Sequence, residues 1–170
     1  MLNNEAIRIT SHNNQNIDSL KRGLALLNEA INLKKDNYMF YTTKAFLQCK
    51  MGQCDSGIIT LNTCISLNPQ LVTPKLSKAL LLEKMNNNSE AMKYFKIVLN
   101  EYNEQIAKYP DSVFIQLNKV MVIMFIKGKE EGIKEYNIIR QKYPTNKKVN
   151  LMHDIFYGFD RKEFISSMFK

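Results

Sequence analysis

Small residues stand at Gly23, Gly57 and Ala91, and the residues behind them return at the same 34-residue step. Leu24, Ile58 and Met92 follow, then Leu27, Leu61 and Phe95, then Ala30, Cys64 and Val98, then Ile31, Ile65 and Leu99. A fixed period of this length marks an array of supersecondary units, each of which buries its apolar face only against its neighbours. Such arrays work through extended surfaces more than through enclosed active sites.

The step changes once. Ala91 to Gly132, Phe95 to Tyr136, Val98 to Ile139 and Pro69 to Pro110 are each 41 residues apart, whereas Pro110 to Pro144 returns to 34. The seven extra residues fall between about Leu99 and Pro110. Seven residues are close to two α-helical turns, so the insertion lengthens a helix without rotating its buried face. Phe95, Leu99, Tyr102, Ile106 and Tyr109 step by three or four. That spacing predicts one long helix over 89–108, projecting beyond its neighbours on one edge.

At 170 residues and 45% hydrophobic content the chain can bury a sizeable core as one domain. Its longest apolar stretch, 120–126, is far shorter than a membrane-spanning helix. The opening Met1-Leu2-Asn3-Asn4-Glu5 lacks the basic and apolar regions of a signal peptide, which leads to the expectation of a cytoplasmic protein. A chain whose signal had been removed would read the same. Net charge is +8, and only Arg8, Arg22, Arg140 and Arg161 of the 24 basic residues are arginine. The lysines are spread along the chain and read as a solvated surface, with a patch for nucleic acid or anionic membrane as the alternative. The three cysteines, Cys49, Cys54 and Cys64, form no disulfide framework. Cys64 takes the slot of Ala30 and Val98 and reads as a small core residue. Cys49 and Cys54 flank a turn and are expected to stay unbonded.

Helix signals agree with the repeat. Leu20, Leu24, Leu27 and Ile31 make an apolar stripe, and Asp36-Asn37 ends that helix. The next helix is expected over 38–51 with Gly52 as its C-terminal stop. Another starts at Cys54 or Asp55 and ends before Pro69. Thr73-Pro74 opens the fifth helix and Asn86-Asn87-Asn88 breaks it, with Ser89 as the expected N-cap of the long helix. Asp111 or Ser112 caps the following helix, which ends at Lys127-Gly128. Helices over 130–142, 146–157 and 160–169 complete the chain. No strand alternation or hairpin dipeptide is present.

These residues resemble the tetratricopeptide repeat family, whose unit is a pair of antiparallel helices with small and large residues at fixed places. The best unit supplies Tyr41, Ala45, Gly52, Gly57, Leu61, Cys64 and Pro69. The next supplies Ala79, Ala91, Phe95 and Val98, but carries Lys75 where a large apolar residue is expected. The last has Val120, Gly128, Gly132, Tyr136, Ile139 and Pro144, with Gly128 one residue late. The resemblance covers about 17–146. It implies an all-α, right-handed superhelix (an α-α solenoid) of about four helix–turn–helix repeats, in a single domain spanning 1–170. Residues 1–16 form a weak or frayed first helix, expected near 4–14, and 17–37 the second helix of repeat 1. Repeat 2 is 38–71, repeat 3 with its lengthened second helix is 72–112, repeat 4 is 113–146, and 147–170 is a helical cap.

Little in the chain resembles a catalytic site. His12 and His153 lie near opposite ends, and His153 beside Asp154 has no third ligand. Cys49 and Cys54 have the wrong spacing for a redox or zinc pair. No glycine-rich phosphate loop is present, and Glu130-Glu131 suits a helix start. The expectation is a chain without catalysis, metal or cofactor.

The resemblance implies instead a concave face lined by the first helix of each unit, where the family's partners lie. By position this gives Met39, Thr42, Phe46 and Cys49, then Thr73, Leu76, Leu80 and Glu83, then Phe114, Leu117 and Met121. The basic clamp that some members use for an acidic peptide terminus is not at matching positions. A largely apolar face suits an amphipathic helix or an apolar extended segment. Two other readings stand beside it: ordinary core, or a groove filled by the chain's own Phe164, Ile165, Met168 and Phe169. The expected function is a non-catalytic adaptor or scaffold binding a protein or peptide. A basic module for nucleic acid or anionic membrane and a scaffold self-associating through its C-terminal helices are the alternatives.

Overall fold

The 34-residue step becomes pairs of helices joined by turns of a few residues. The structure, a computed structural model, describes residues 2–12 and 16–169. Among them are eleven α-helices and no strand: α1 (Leu2–His12), α2 (Ile17–Leu33), α3 (Tyr38–Lys50), α4 (Cys54–Leu67), α5 (Val72–Lys84), α6 (Asn88–Lys108), α7 (Val113–Lys127), α8 (Lys129–Lys142), α9 (Lys147–Leu151), α10 (His153–Tyr157) and α11 (Arg161–Met168). Paired helices at this step make an all-α helical-repeat fold. No helix among the described residues is long and apolar enough to cross a membrane. The chain divides into two compact units, Met1–Ala91 with Ser166–Lys170, and Met92–Ile165.

In the first unit α1 packs on α2, α2 on α3, α3 on α4 and α4 on α5. Helix α3 also touches α1 and α5, so the leading helices of successive hairpins run side by side. Leu27 and Leu61 at the periodic large positions are fully buried, as are Ala45 and Ala79 at the small ones. Gly57 lets α4 lie against α3: a Cβ there would stand 2.8 Å from the Ala45 carbonyl oxygen and 2.7 Å from Leu81 Cδ2. Helix α1 begins two residues earlier than the expected 4–14 and is described to His12; residues 13 and 14 of that expectation lie outside the described residues. Its anchor is Ala6, buried with Leu20, Leu27 and Leu47, whereas Ile7 is exposed. Of the polar run 12–16, residues 13–15 lie outside the described residues.

In the second unit α7 and α8 form the hairpin, and α9 and α10 cover its end. Tyr136 is buried; its hydroxyl donates to the Val149 carbonyl at 2.7 Å and its ring meets Phe156 edge-on. Phe125 stacks on Phe95 with centroids 4.6 Å apart and receives Phe159 and Phe164 edge-on. Arg161 donates to the Phe125 carbonyl at 2.8 Å and lies over that ring. Met124 occupies the space that a Cβ on Gly132 would need.

Several boundaries differ from expectation for physical reasons. Helix α6 starts at Asn88, and Asn87 rather than Ser89 supplies the cap, its Oδ1 accepting from the Glu90 amide at 3.4 Å. Asparagines also cap α2, α3 and α9 through Asn16, Asn37 and Asn146, whose side chains accept from first-turn amides. The helix expected over 146–157 is broken at Met152 into α9 and α10. The extension of α6 does not project freely. Tyr102 within it is 5% exposed, and Ile106 lines a depression with α7 and α8 residues Gln116, Glu135 and Ile139. Cys49 and Cys54, expected to be unbonded, are joined as a disulfide across the α3–α4 turn. That turn brings their Cα atoms to 3.9 Å, with Gly52 at φ +78° closing it.

Candidate functional site

The residues expected to line a concave face lie on the leading helices α3, α5 and α7. In the first unit, Met39, Thr42 and Phe46 on α3 follow at spacings of three and four, which stacks them on one side of the helix. Met39 is exposed and Phe46 half-buried, while Cys49, one turn further on, is buried and bonded to Cys54. Thr42 turns its hydroxyl back to the Met39 carbonyl at 3.0 Å, which satisfies it within the helix. On α5, Thr73 is exposed, Leu76 and Glu83 are half-buried and Leu80 is buried. In the second unit, Phe114 on α7 is exposed, Met121 half-buried and Leu117 buried. Cys49, Leu80 and Leu117 are thus packed inside their units, and the accessible apolar surface at these positions belongs mainly to Met39, Phe46, Leu76, Phe114 and Met121.

Phe46 has a neighbour from the far end of the chain. The Phe169 ring stacks on it with centroids 5.3 Å apart and planes 15° from parallel. The Lys84 ammonium sits over the other aromatic partner, 5.8 Å from the Phe169 centroid. Phe46, Lys84 and Phe169 all belong to the first unit. The other residues of the C-terminal stripe divide: Phe164 packs on Phe125 and Phe159 in the second unit, and Ile165 is buried. Lys84 was absent from the residues expected to line this face. The visible signal for it was its place one turn beyond Leu80 on α5.

A polar depression of about 840 Å³ lies elsewhere in the second unit. Asn137, Arg140 and Gln141 from α8, Pro144, Asn150 from α9, and His153 and Asp154 from α10 line it. Tyr157 donates to Asn137 Oδ1 at 3.1 Å and stacks on His153, whose Nδ1 is 3.0 Å from Asp154 Oδ1. The i, i+4 spacing of His153 and Tyr157 was the legible sign that these rings share a side of α10. Among the described residues, no group of three His, Cys, Asp or Glu side chains is placed to hold a metal ion.

The displaced pKa values come from burial or from exposed ion pairs. Burial pushes the Cys64 thiol up to about 11 and raises the Tyr41 phenol. Hydrogen bonds from Lys142 and Tyr143 hold the exposed Asp111 carboxyl below its usual value.

The chain is similar to solved helical proteins. One is a tetratricopeptide repeat protein from Parabacteroides merdae ATCC 43184, at 16% identity and a TM-score of 0.49. The match covers 91% of this chain and 59% of that one, so this chain spans well under two thirds of its length. Another is the MamA RS-1 ArsTM double mutant, at 14% identity and a TM-score of 0.49, covering 99% of this chain and 88% of that one. No protein-family model and no curated protein matches the chain.

Proposed function

We propose that this protein is a non-catalytic binding module, an adaptor or scaffold whose leading helices receive an apolar peptide or helix from another protein. The observation that carries this reading is the Phe46 ring, which accepts a stacked aromatic side chain from a segment distant in sequence. A helix face with an aromatic slot and an apolar neighbour two turns before it, here Met39, is the surface an amphipathic or extended ligand needs. Its accessible residues are apolar apart from Thr42, Thr73 and Glu83, which suits burial of an apolar segment better than capture of an anion.

Peptides selected from a random display library on the immobilised protein test this. They are expected to carry an aromatic residue in an apolar context. Phe46→Glu is expected to weaken them by about tenfold or more, the effect of losing about 1.4 kcal/mol at one anchoring side chain. The half-buried position of Phe46 leaves the fold intact in that variant, which circular dichroism checks. Leu80 is buried and a charge there would test stability instead. Equal binding by wild type and Phe46→Glu would remove α3 from the binding surface.

A further inference from the structure

We infer that the resident occupant of the Phe46 slot is the chain's own C-terminal segment, 166–169, which competes with any external ligand for the α3 face. This rests on the reading of that face as a binding surface, and it adds regulation: the site is closed in the unliganded chain. Phe169 is only 9% exposed, although it lies beyond the last residue of α11. An aromatic side chain beyond a helix end that escapes solvent needs a receiving surface, and the stacked Phe46 ring together with the Lys84 ammonium provides it. The contact is small, two ring faces and one cation. It is therefore maintained by tethering more than by intrinsic affinity, since a short tether gives an effective concentration in the millimolar range. A ligand that presents a phenylalanine-like ring in apolar surroundings replaces the tail with like chemistry.

A fluorescent peptide with the sequence of residues 161–170 is the probe, titrated by anisotropy into three full-length proteins. Phe169→Ala, whose slot is vacated, is expected to bind it more tightly than wild type by a factor of 1 + Ceff/Kd, about tenfold for a millimolar effective concentration and a peptide Kd of about 0.1 mM. Phe46→Glu combined with Phe169→Ala is expected to lose it, and the same peptide with alanine at position 169 should not bind. Equal affinity for wild type and Phe169→Ala, or no binding to Phe169→Ala, overturns the inference. A wild type that sediments as a dimer and becomes monomeric on Phe169→Ala also overturns it, by giving the tail to a second copy. Hydrogen exchange on the unmodified chain provides the check that needs no variant: residues 166–169 are expected to lose protection when a library-selected peptide saturates the protein, and unchanged protection contradicts the inference. Should a selected peptide depend on Phe46 yet bind wild type and Phe169→Ala equally, the self-occupancy fails while the binding face stands.

Discussion

Gly57 shows how one missing methyl group sets the distance between two helices. Alanine in a helix is ordinarily favoured over glycine by about 1 kcal/mol. At Gly57 the added Cβ would meet the Ala45 carbonyl oxygen and Leu81 Cδ2, both inside 3 Å. The oxygen is backbone and cannot rotate away, so overpacking, which costs about 1–3 kcal/mol, outweighs the propensity gain. Gly57→Ala is expected to lower the unfolding free energy in urea by about 1 kcal/mol; an unchanged or raised value would show that α3 moves aside freely. The cysteines give a second residue-level expectation. With Cys49 and Cys54 bonded and Cys64 buried at a pKa of about 11, the unreduced native chain should show no reactive thiol to Ellman's reagent at pH 8, where a thiol of that pKa is only about 0.1% ionised. After denaturation without reductant one thiol should appear, and three would contradict the bond. Nothing in the sequence distinguished these cysteines from an unbonded pair, because a five-residue separation specifies proximity only once Gly52 has closed the turn at positive φ.

Helix α6 is the element in which period and packing meet. The change from a 34- to a 41-residue step located it to within one residue at its start, since two helical turns preserve the phase of Phe95, Val98 and Tyr102. Its environment was not legible: periodicity says which side of a helix is apolar, not what covers it. The structure buries Tyr102, and burial raises its phenol to about 12, with Glu101 adding to the shift. A folded-state pKa raised above the unfolded value of about 10 gives stability that is complete below pH 10 and is lost as pH rises through 12. Two units correspond to about 2–3 kcal/mol at 1.36 kcal/mol per unit. Tyr102→Phe should therefore flatten the alkaline decline of stability between pH 10 and 12 relative to wild type, read from urea midpoints. Parallel declines would place Tyr102 in water. Boundaries set by glycine or proline were readable, as at Gly52 and Gly128, both at positive φ. The cap of α6 was not, because Asn87 and Ser89 are equally good capping residues and only the backbone path chooses between them.

For the molecule, the repeat specified helices, hairpins and the buried Leu27, Leu61, Phe95 and Tyr136 before any coordinates. The placement of the candidate residues on the leading helices was legible from the order of first and second helices. Which of them reach the surface depended on packing that spacing does not encode, so Cys49, Leu80 and Leu117 turned inward while Phe46 and Phe114 did not. The apolar stripe Phe164, Ile165, Met168 and Phe169 was visible as a possible occupant, and its aromatic ends now have separate partners, Phe125 for Phe164 and Phe46 for Phe169. In the reading proposed above, α3 and α5 present the binding surface and the segment 166–169 shares it. Backbone amide shift mapping by NMR, with a library-selected peptide added to the full chain, addresses both parts in one titration. Perturbations are expected to concentrate on Met39–Lys50, on α5 around Leu76 to Lys84, and on 166–169. Perturbations confined to the depression around Arg140 and His153, with α3 and the tail unmoved, would contradict it.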